Sequence, residues 1–363
     1  MAVVKLPWDL EEEILSRLPP RPLVQLRSVC KHWNALFNDK SFLNNHLARA
    51  RPQFIFLTES KIYSIDINLG GTLEVRELPY DFPCQAMDLM HTTITSCDGF
   101  LFRDFWKQGV AVWNPWLRQV GWIDYEDKGF HFCGVGYDSP DKDYKILGYL
   151  DCLRRVSDTY HVSYRRVAVY ECSSRAVKFI DAPFTQWPTM EPLSLNGNLY
   201  WVVHDLETHE CFIRCFDFSS EIFKPFCLLP CQKNHSRDEL VLAVFKGDRF
   251  SLLKQCYVTG KIEIWVTNKK IDGEEVVWIN FMTLPTSNLP KLVNKFCGIS
   301  YFIFDKTLIM CCGDGQTGAP CIYIVREDMF KKIQIESRIV RFSHCVYLPN
   351  LVAVPLKFRS LQV

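Results

Sequence analysis

Apolar residues recur at helical spacing over the first fifty positions and then give way to short dense runs. Leu10, Ile14, Leu15 and Leu18 fall on one face of a first helix. Asp9 with Glu12 three residues on predicts a capping box, and Glu11 and Glu13 suit the positive end of the helix dipole. Pro19 and Pro20 stop that helix, and Pro22 fits the first turn of the next, which carries Leu23 and Leu26. Ser28 is expected to cap a third helix bearing Val29, Trp33, Leu36 and Phe37. Ser41 is expected to open a fourth through Phe42, Leu43 and Leu47. A domain of about 60 residues buries only roughly 60% of its unfolded surface, and this unit is shorter still. Its surplus apolar positions must be covered by the rest of the chain or by a partner.

Beyond Arg51 and Pro52 the pattern becomes β-like, and one phrase returns six times. Each copy is a strand ending in an aromatic or branched residue, then a polar turn, then a second strand. Aligned on Ile65, Trp113, Tyr170, Phe216, Trp265 and Ile324, the spacings are 48, 57, 46, 49 and 59. Three or four strands per period of about 50 residues predict blades of a β-propeller, six of them. Two stacked sandwiches give no reason for the phrase to recur. The first phrase lacks an inner strand of its own. The apolar segment of residues 342–354 is therefore expected to pair with residues 54–67 and close the ring, removing an open sheet edge.

The residues then carry a resemblance. Leu6, Pro7, Asp9, Leu10, Ile14, Leu15, Arg17, Leu18 and Pro19, followed by Leu23, Arg27, Val29, Cys30, Lys31, Trp33, Leu36 and Phe42, resemble an F-box. The resemblance implies docking on the Skp-type adaptor of a cullin–RING ubiquitin ligase. The adaptor-facing positions would be among Leu6, Pro7, Leu10, Ile14, Leu15, Leu18, Leu23, Val29, Cys30 and Trp33, while Leu26 and Leu36 serve equally well as internal core. Ser96-Cys97-Asp98-Gly99-Phe100-Leu101, Val112-Trp113-Asn114-Pro115-Trp116-Leu117-Arg118 and Leu195-Asn196-Gly197-Asn198-Leu199-Tyr200-Trp201 resemble the F-box-associated domain of the large plant F-box family. That resemblance implies a substrate-recognition region. The double glycine of kelch repeats and the Trp-Asp ending of WD repeats are missing. The expected organisation is a small all-α F-box domain over residues 1–50 and an all-β, six-bladed propeller over residues 51–363.

Composition narrows the function. The chain has 363 residues, 14% of them aromatic, which favours half-buried pleated surfaces. Lys and Arg total 42 against 41 Asp and Glu, so no net field draws the chain to a phosphate backbone, and nucleic acid is not an expected partner. An acidic cluster stands where a signal peptide needs its apolar core, and apolar runs fall far short of the roughly 18 residues that span a bilayer. A cytoplasmic or nuclear location follows, away from membranes, with the 16 cysteines as reduced thiols.

Candidate chemistry is sparse. His204, His209, Cys211, Cys215, Cys227, Cys231 and His235 form the best metal-like set. Four strand residues span roughly 13 Å, however, too far for Cys211 and Cys215 to share a zinc with bonds of about 2.3 Å. Cys311 and Cys312 must point to opposite faces of a strand. The turn from Gly313 to Pro320 lacks the Lys-Ser/Thr of a phosphate loop, and no G-x-S-x-G elbow anchors a hydrolase triad. No metal or cofactor is expected. Arg154, Arg155, Arg165 and Arg166 bracket the insertion in the 57-residue repeat. They are read either as a solvated hairpin or as a basic rim for an acidic or phosphorylated protein substrate. The expected function is a non-enzymatic substrate receptor of a ubiquitin ligase. A propeller enzyme with a channel ligand and a ligase-independent scaffold or decoy are the rivals.

Overall fold

The computed structural model describes residues 6–58, 61–67, 72–79, 93–105, 108–125, 129–138, 143–157, 160–182, 188, 192–205, 207–272, 275–284, 291–292, 298–314, 317–326, 329–335 and 343–358, with backbone alone for residues 48, 153–157 and 160–163. Four helices open it: α1 (Trp8–Leu15), α2 (Pro20–Leu26), α3 (Lys31–Leu36) and α4 (Lys40–Arg49). Their caps differ from the expected ones. Pro7 precedes α1 and no side chain caps it, so Asp9 already lies inside the helix and the capping box with Glu12 does not form. The Cys30 sulfur, not Ser28, accepts the Trp33 N–H at the start of α3. Asp39, not Ser41, caps α4, accepting the N–H groups of Ser41 and Phe42 at 2.9 and 3.0 Å. In both of the last two helices the residue nearer the first free N–H groups takes the cap, because a short side chain reaches only two or three residues ahead.

Six four-stranded antiparallel sheets follow, one per blade. In order from the axis outward, blade one holds β24 (Ser343–Tyr347), β1 (Gln53–Leu57), β2 (Ile62–Ile67) and β3 (Leu73–Leu78). Blade two holds β4 (Ile94–Cys97), β5 (Phe100–Phe105), β6 (Gly109–Asn114) and β7 (Gln119–Asp124). Blade three holds β8 (Phe130–Asp138), β9 (Asp143–Ser157), β10 (Tyr160–Glu171) and β11 (Ala176–Phe179). Blade four holds β12 (Leu193–Leu195), β13 (Asn198–His204), β14 (Cys211–Asp217) and β15 (Ile222–Leu228). Blade five holds β16 (Glu239–Phe245), β17 (Arg249–Gln255), β18 (Ile262–Thr267) and β19 (Trp278–Leu284). Blade six holds β20 (Ser300–Phe304), β21 (Thr307–Gly313), β22 (Pro320–Arg326) and β23 (Met329–Gln334). The structure is the six-bladed propeller expected from the repeat, and the six aligned phrases are the third strands. The C-terminal segment closes the ring as expected, with Gln53, Phe54, Ile55, Phe56 and Leu57 facing Tyr347, Val346, Cys345, His344 and Ser343.

Packing between blades explains the dense apolar runs. Successive strand residues point to opposite faces, and here each face is buried against a different neighbour. Phe54 and Phe56 pack on blade six with Phe302 and Ile322, while Ile55 and Leu57 pack on blade two with Leu101 and Trp113. Cys311 and Cys312 likewise enter two different interblade cores. The outermost strands are more exposed and mix polar with apolar residues, as in β23 with Phe330, Lys331 and Lys332.

Tight turns mark one end of the ring. First and second strands join through Asp98-Gly99, Asn196-Gly197, Lys246-Gly247 and Asp305-Lys306, all with positive φ. Asn-Gly and Asp-Gly are the pairs that such two-residue hairpins favour. Third and fourth strands join through turns opened by Asn114 and Asp217, whose side-chain oxygens accept backbone N–H groups two and three residues ahead.

Candidate adaptor and substrate surfaces

The helices sit on the end of the propeller that carries these tight turns. Leu15, Leu23, Leu36, Phe37 and Phe42 form a core with Leu351 from the chain's C-terminal segment, and Leu117 of the β6–β7 turn packs against it. Leu18, Leu26 and Trp33 are half-buried at its margin. Arg49 of α4 bonds Glu13 of α1 at 2.8 Å, and Arg17 bonds the same carboxylate at 2.6 Å, holding Glu13 below the usual carboxylate range. His46 bonds the Leu18 carbonyl oxygen at 2.8 Å. The helices therefore form one unit resting on the propeller, and a partner is not needed to cover its core.

The ten residues expected to face an adaptor divide three ways, with Leu18 and Trp33 half-buried between the two extremes. Leu6, Leu10, Ile14 and Val29 are 51%, 51%, 52% and 60% exposed, and Pro7 and Cys30 are also exposed. Leu15 and Leu23 are buried within the helical core and present no surface to a partner. The helical spacing of Leu10 and Ile14 made both readings available; the helical core decided between them by forming around Leu15 on the other side of α1. All six of these exposed residues belong to the helical unit.

The opposite end carries the longer connections, because second-to-third strand loops and blade-to-blade links all emerge there. The largest described feature is the β9–β10 hairpin. Phe130, the first residue of β8, pairs with Leu150, so residues 151–157 run on beyond the innermost strand. At about 3.3 Å per residue that is about 20 Å of added strand. The insertion expected there is thus continuous β-ribbon.

Arg154 and Arg155 lie on the outer part of this hairpin, opposite Val162 and His161. Arg165 and Arg166 lie nearer its base and point to opposite faces, as adjacent strand residues must. Arg165 pairs with Asp151 at 3.1 Å and stacks on Tyr149. Asp151 also meets His131, which lies flat on the other partner of the group, Tyr149, with ring centroids 4.6 Å apart. Arg166 stacks on Phe179 of β11 at 3.8 Å. Sequence reading named the arginines but not Tyr149, Asp151 and Phe179, since their roles arise only from cross-strand register.

Among the described residues no group of three or more His, Cys, Asp or Glu is arranged to hold a metal, and the described cysteines are free thiols. The rings of His204 and His209 stand 6.3 Å apart. Asp143, the first residue of β9, bonds Lys357 at 2.7 Å. No helix among the described residues is long and apolar enough to cross a membrane.

Comparison with known proteins agrees with this geometry. Residues 4–45 match the F-box domain and residues 53–354 match the F-box associated beta propeller domain. An F-box protein of Arabidopsis thaliana is 71% identical over 100% of both chains. Protein SUPPRESSOR OF NIM1 1 of the same plant is 54% identical over 97% of this chain and 99% of its own. Among solved structures, an oligogalacturonate lyase in complex with manganese is similar at TM-score 0.41 and 10% identity, over 76% of this chain and 70% of that one. With both parts of the architecture matched and the relatives aligned along nearly their whole length, the chain belongs to the F-box proteins that carry an F-box associated β-propeller.

Proposed function

We propose that this protein is the non-catalytic substrate receptor of a cullin–RING ubiquitin ligase. The observation that carries the reading is the placement of two surfaces at opposite ends of a closed ring. At one end Leu6, Pro7, Leu10, Ile14, Val29 and Cys30 offer an apolar face that a Skp-type adaptor would cover. At the other end the β9–β10 ribbon and the long links offer a surface for a protein substrate. A rigid ring between them holds the substrate at a fixed distance from the adaptor, so the gain is proximity and the chemistry belongs to the recruited enzymes.

The substrate surface is read as basic, with Arg154, Arg155, Arg165 and Arg166 addressing an acidic or phosphorylated segment. The test is co-purification from cells of the full chain with adaptor and cullin, followed by the same capture with Arg154 and Arg155 changed to Glu. Adaptor and cullin should be retained in the Glu variant while substrate proteins are lost. Adaptor binding without cullin would instead favour a ligase-independent scaffold, and absence of both would overturn the receptor reading.

A further inference from the structure

The innermost strands of all six blades surround a cavity of about 850 Å³ on the propeller axis. That lies within the range of roughly 300–1,000 Å³ that holds small-molecule ligands. Three hydroxyls of its wall are engaged in bonds between blades. Ser96 donates to the Val346 carbonyl oxygen at 2.7 Å, and Ser194 donates to that of Val135 at 2.6 Å. Ser300 contacts both the His344 carbonyl oxygen and, at 2.9 Å, its Nδ1. Each bond crosses from one blade to the next, so these hydroxyls tie the ring together.

The middle of the wall is also uncharged. Thr95, Cys133, Leu193, Val241 and Cys345 line it. Cys133 is the extra residue of a bulge in β8, between Phe132 and Gly134 in the pairing with β9. A bulge re-aims a side chain out of the ladder. Burial raises its thiol pKa and keeps it neutral. Burial also lowers His344 to about 4, so its imidazole is neutral as well. Charges gather at the mouths instead: Arg49, Lys246, Asp248, Asp305 and Lys306 at the helix end, and Glu239 at the other.

We infer that the axial cavity is a binding site for an uncharged, largely apolar small molecule, separate from the adaptor and hairpin surfaces. A charged ligand would lose its hydration against a wall whose middle carries no charge to compensate it, whereas an apolar one displaces water at no such cost. Arg49 and Leu47 of α4 stand at one mouth, so an occupant would touch the helical unit as well as the blades.

The test uses the full chain and the uncharged dye N-phenyl-1-naphthylamine. Fluorescence titration should show saturable 1:1 binding, weakened at least tenfold by Val241→Trp and by Thr95→Trp, each of which fills the cavity. Leu10→Asp with Ile14→Asp, which removes the exposed helical face, should leave dye binding unchanged. Hydrogen exchange on the unmodified chain should show dye-dependent protection in β4, β16 and β24, a readout that needs no variant to fold. Absence of saturable binding, full binding by folded cavity-filled variants, or protection confined to α1–α3 would overturn the site. Adaptor capture reads out independently of all these results.

Discussion

Gln53 and Tyr347 face each other across one antiparallel pair, so residues 294 positions apart in sequence complete a single blade. The contact is reinforced next door. Asn350 donates to the Gly99 carbonyl oxygen at 2.6 Å, and Asn114 donates to the Val352 carbonyl oxygen at 2.7 Å. A Cβ on Gly99 would sit 2.9 Å from the Asn350 amide, and its φ of +85° suits glycine alone, so the turn accepts the close approach only without a side chain.

Ending the chain before Phe342 should therefore open the ring. It removes β24, the Asn350 bonds and Leu351 from the helical core. The inner edge of β1 is left unpaired, and such edges pair with other chains. Size-exclusion chromatography should find aggregate; a truncated monomer that melts like the full chain would refute the seam's importance.

Neighbouring residues of α1 should behave oppositely. Leu10→Ala with Ile14→Ala should abolish adaptor co-purification with little change in melting temperature, since both side chains are half exposed. Leu15→Ala should cost about 2–5 kcal/mol of stability by leaving a cavity in the helical core. Thermal melts beside pull-downs separate the two; a strong melting loss in the Leu10/Ile14 pair would remove the exposed face from consideration.

Asp104 is 5% exposed, and burial raises its pKa from 3.8 to about 8. The folded chain then keeps a proton that the unfolded chain releases near pH 4. The stability this contributes is complete below that value and declines as pH rises to about 8. Asp104→Asn should melt close to the parent at pH 5 and clearly above it at pH 8. Parallel melting curves across that interval would contradict the assignment.

His344 works in the other direction. Its pKa falls from 6.5 to about 4 through burial, so the unfolded chain binds a proton that the folded chain refuses. Stability from this group is complete above pH 6.5 and is lost as pH falls towards 4. Denaturant titrations between pH 7 and pH 4.5 should show a smaller decline for His344→Gln than for the parent, whose decline is otherwise unexplained by Asp104, which strengthens over the same range.

The recurrent third strand and the turn residues beside it were legible along the chain because both are local. Asn196-Gly197 and Asp98-Gly99 adopt the positive φ that such pairs favour in tight hairpins, and an apolar third strand needs only neighbouring sheets to bury it. Blade number and closure followed, since a period repeated six times with one inner strand missing has few ways to leave no open edge. The F-box spacing was legible for the same local reason.

Tertiary structure decided what each apolar face touches. Leu10 and Leu15 are equally apolar, yet one lies outside and the other in the core, because Leu23, Leu36, Phe37 and Phe42 of the later helices, with Leu351 from the far end of the chain, gather on one side only. The short inner strands, such as Leu193–Leu195, were not separately visible, since three residues carry too little periodicity. The partners of Arg165 and Arg166 depend on strand register, and the axial cavity depends on six inner strands meeting around a line. Neither quantity is written in any one segment, because packing across blades couples residues that sequence keeps apart.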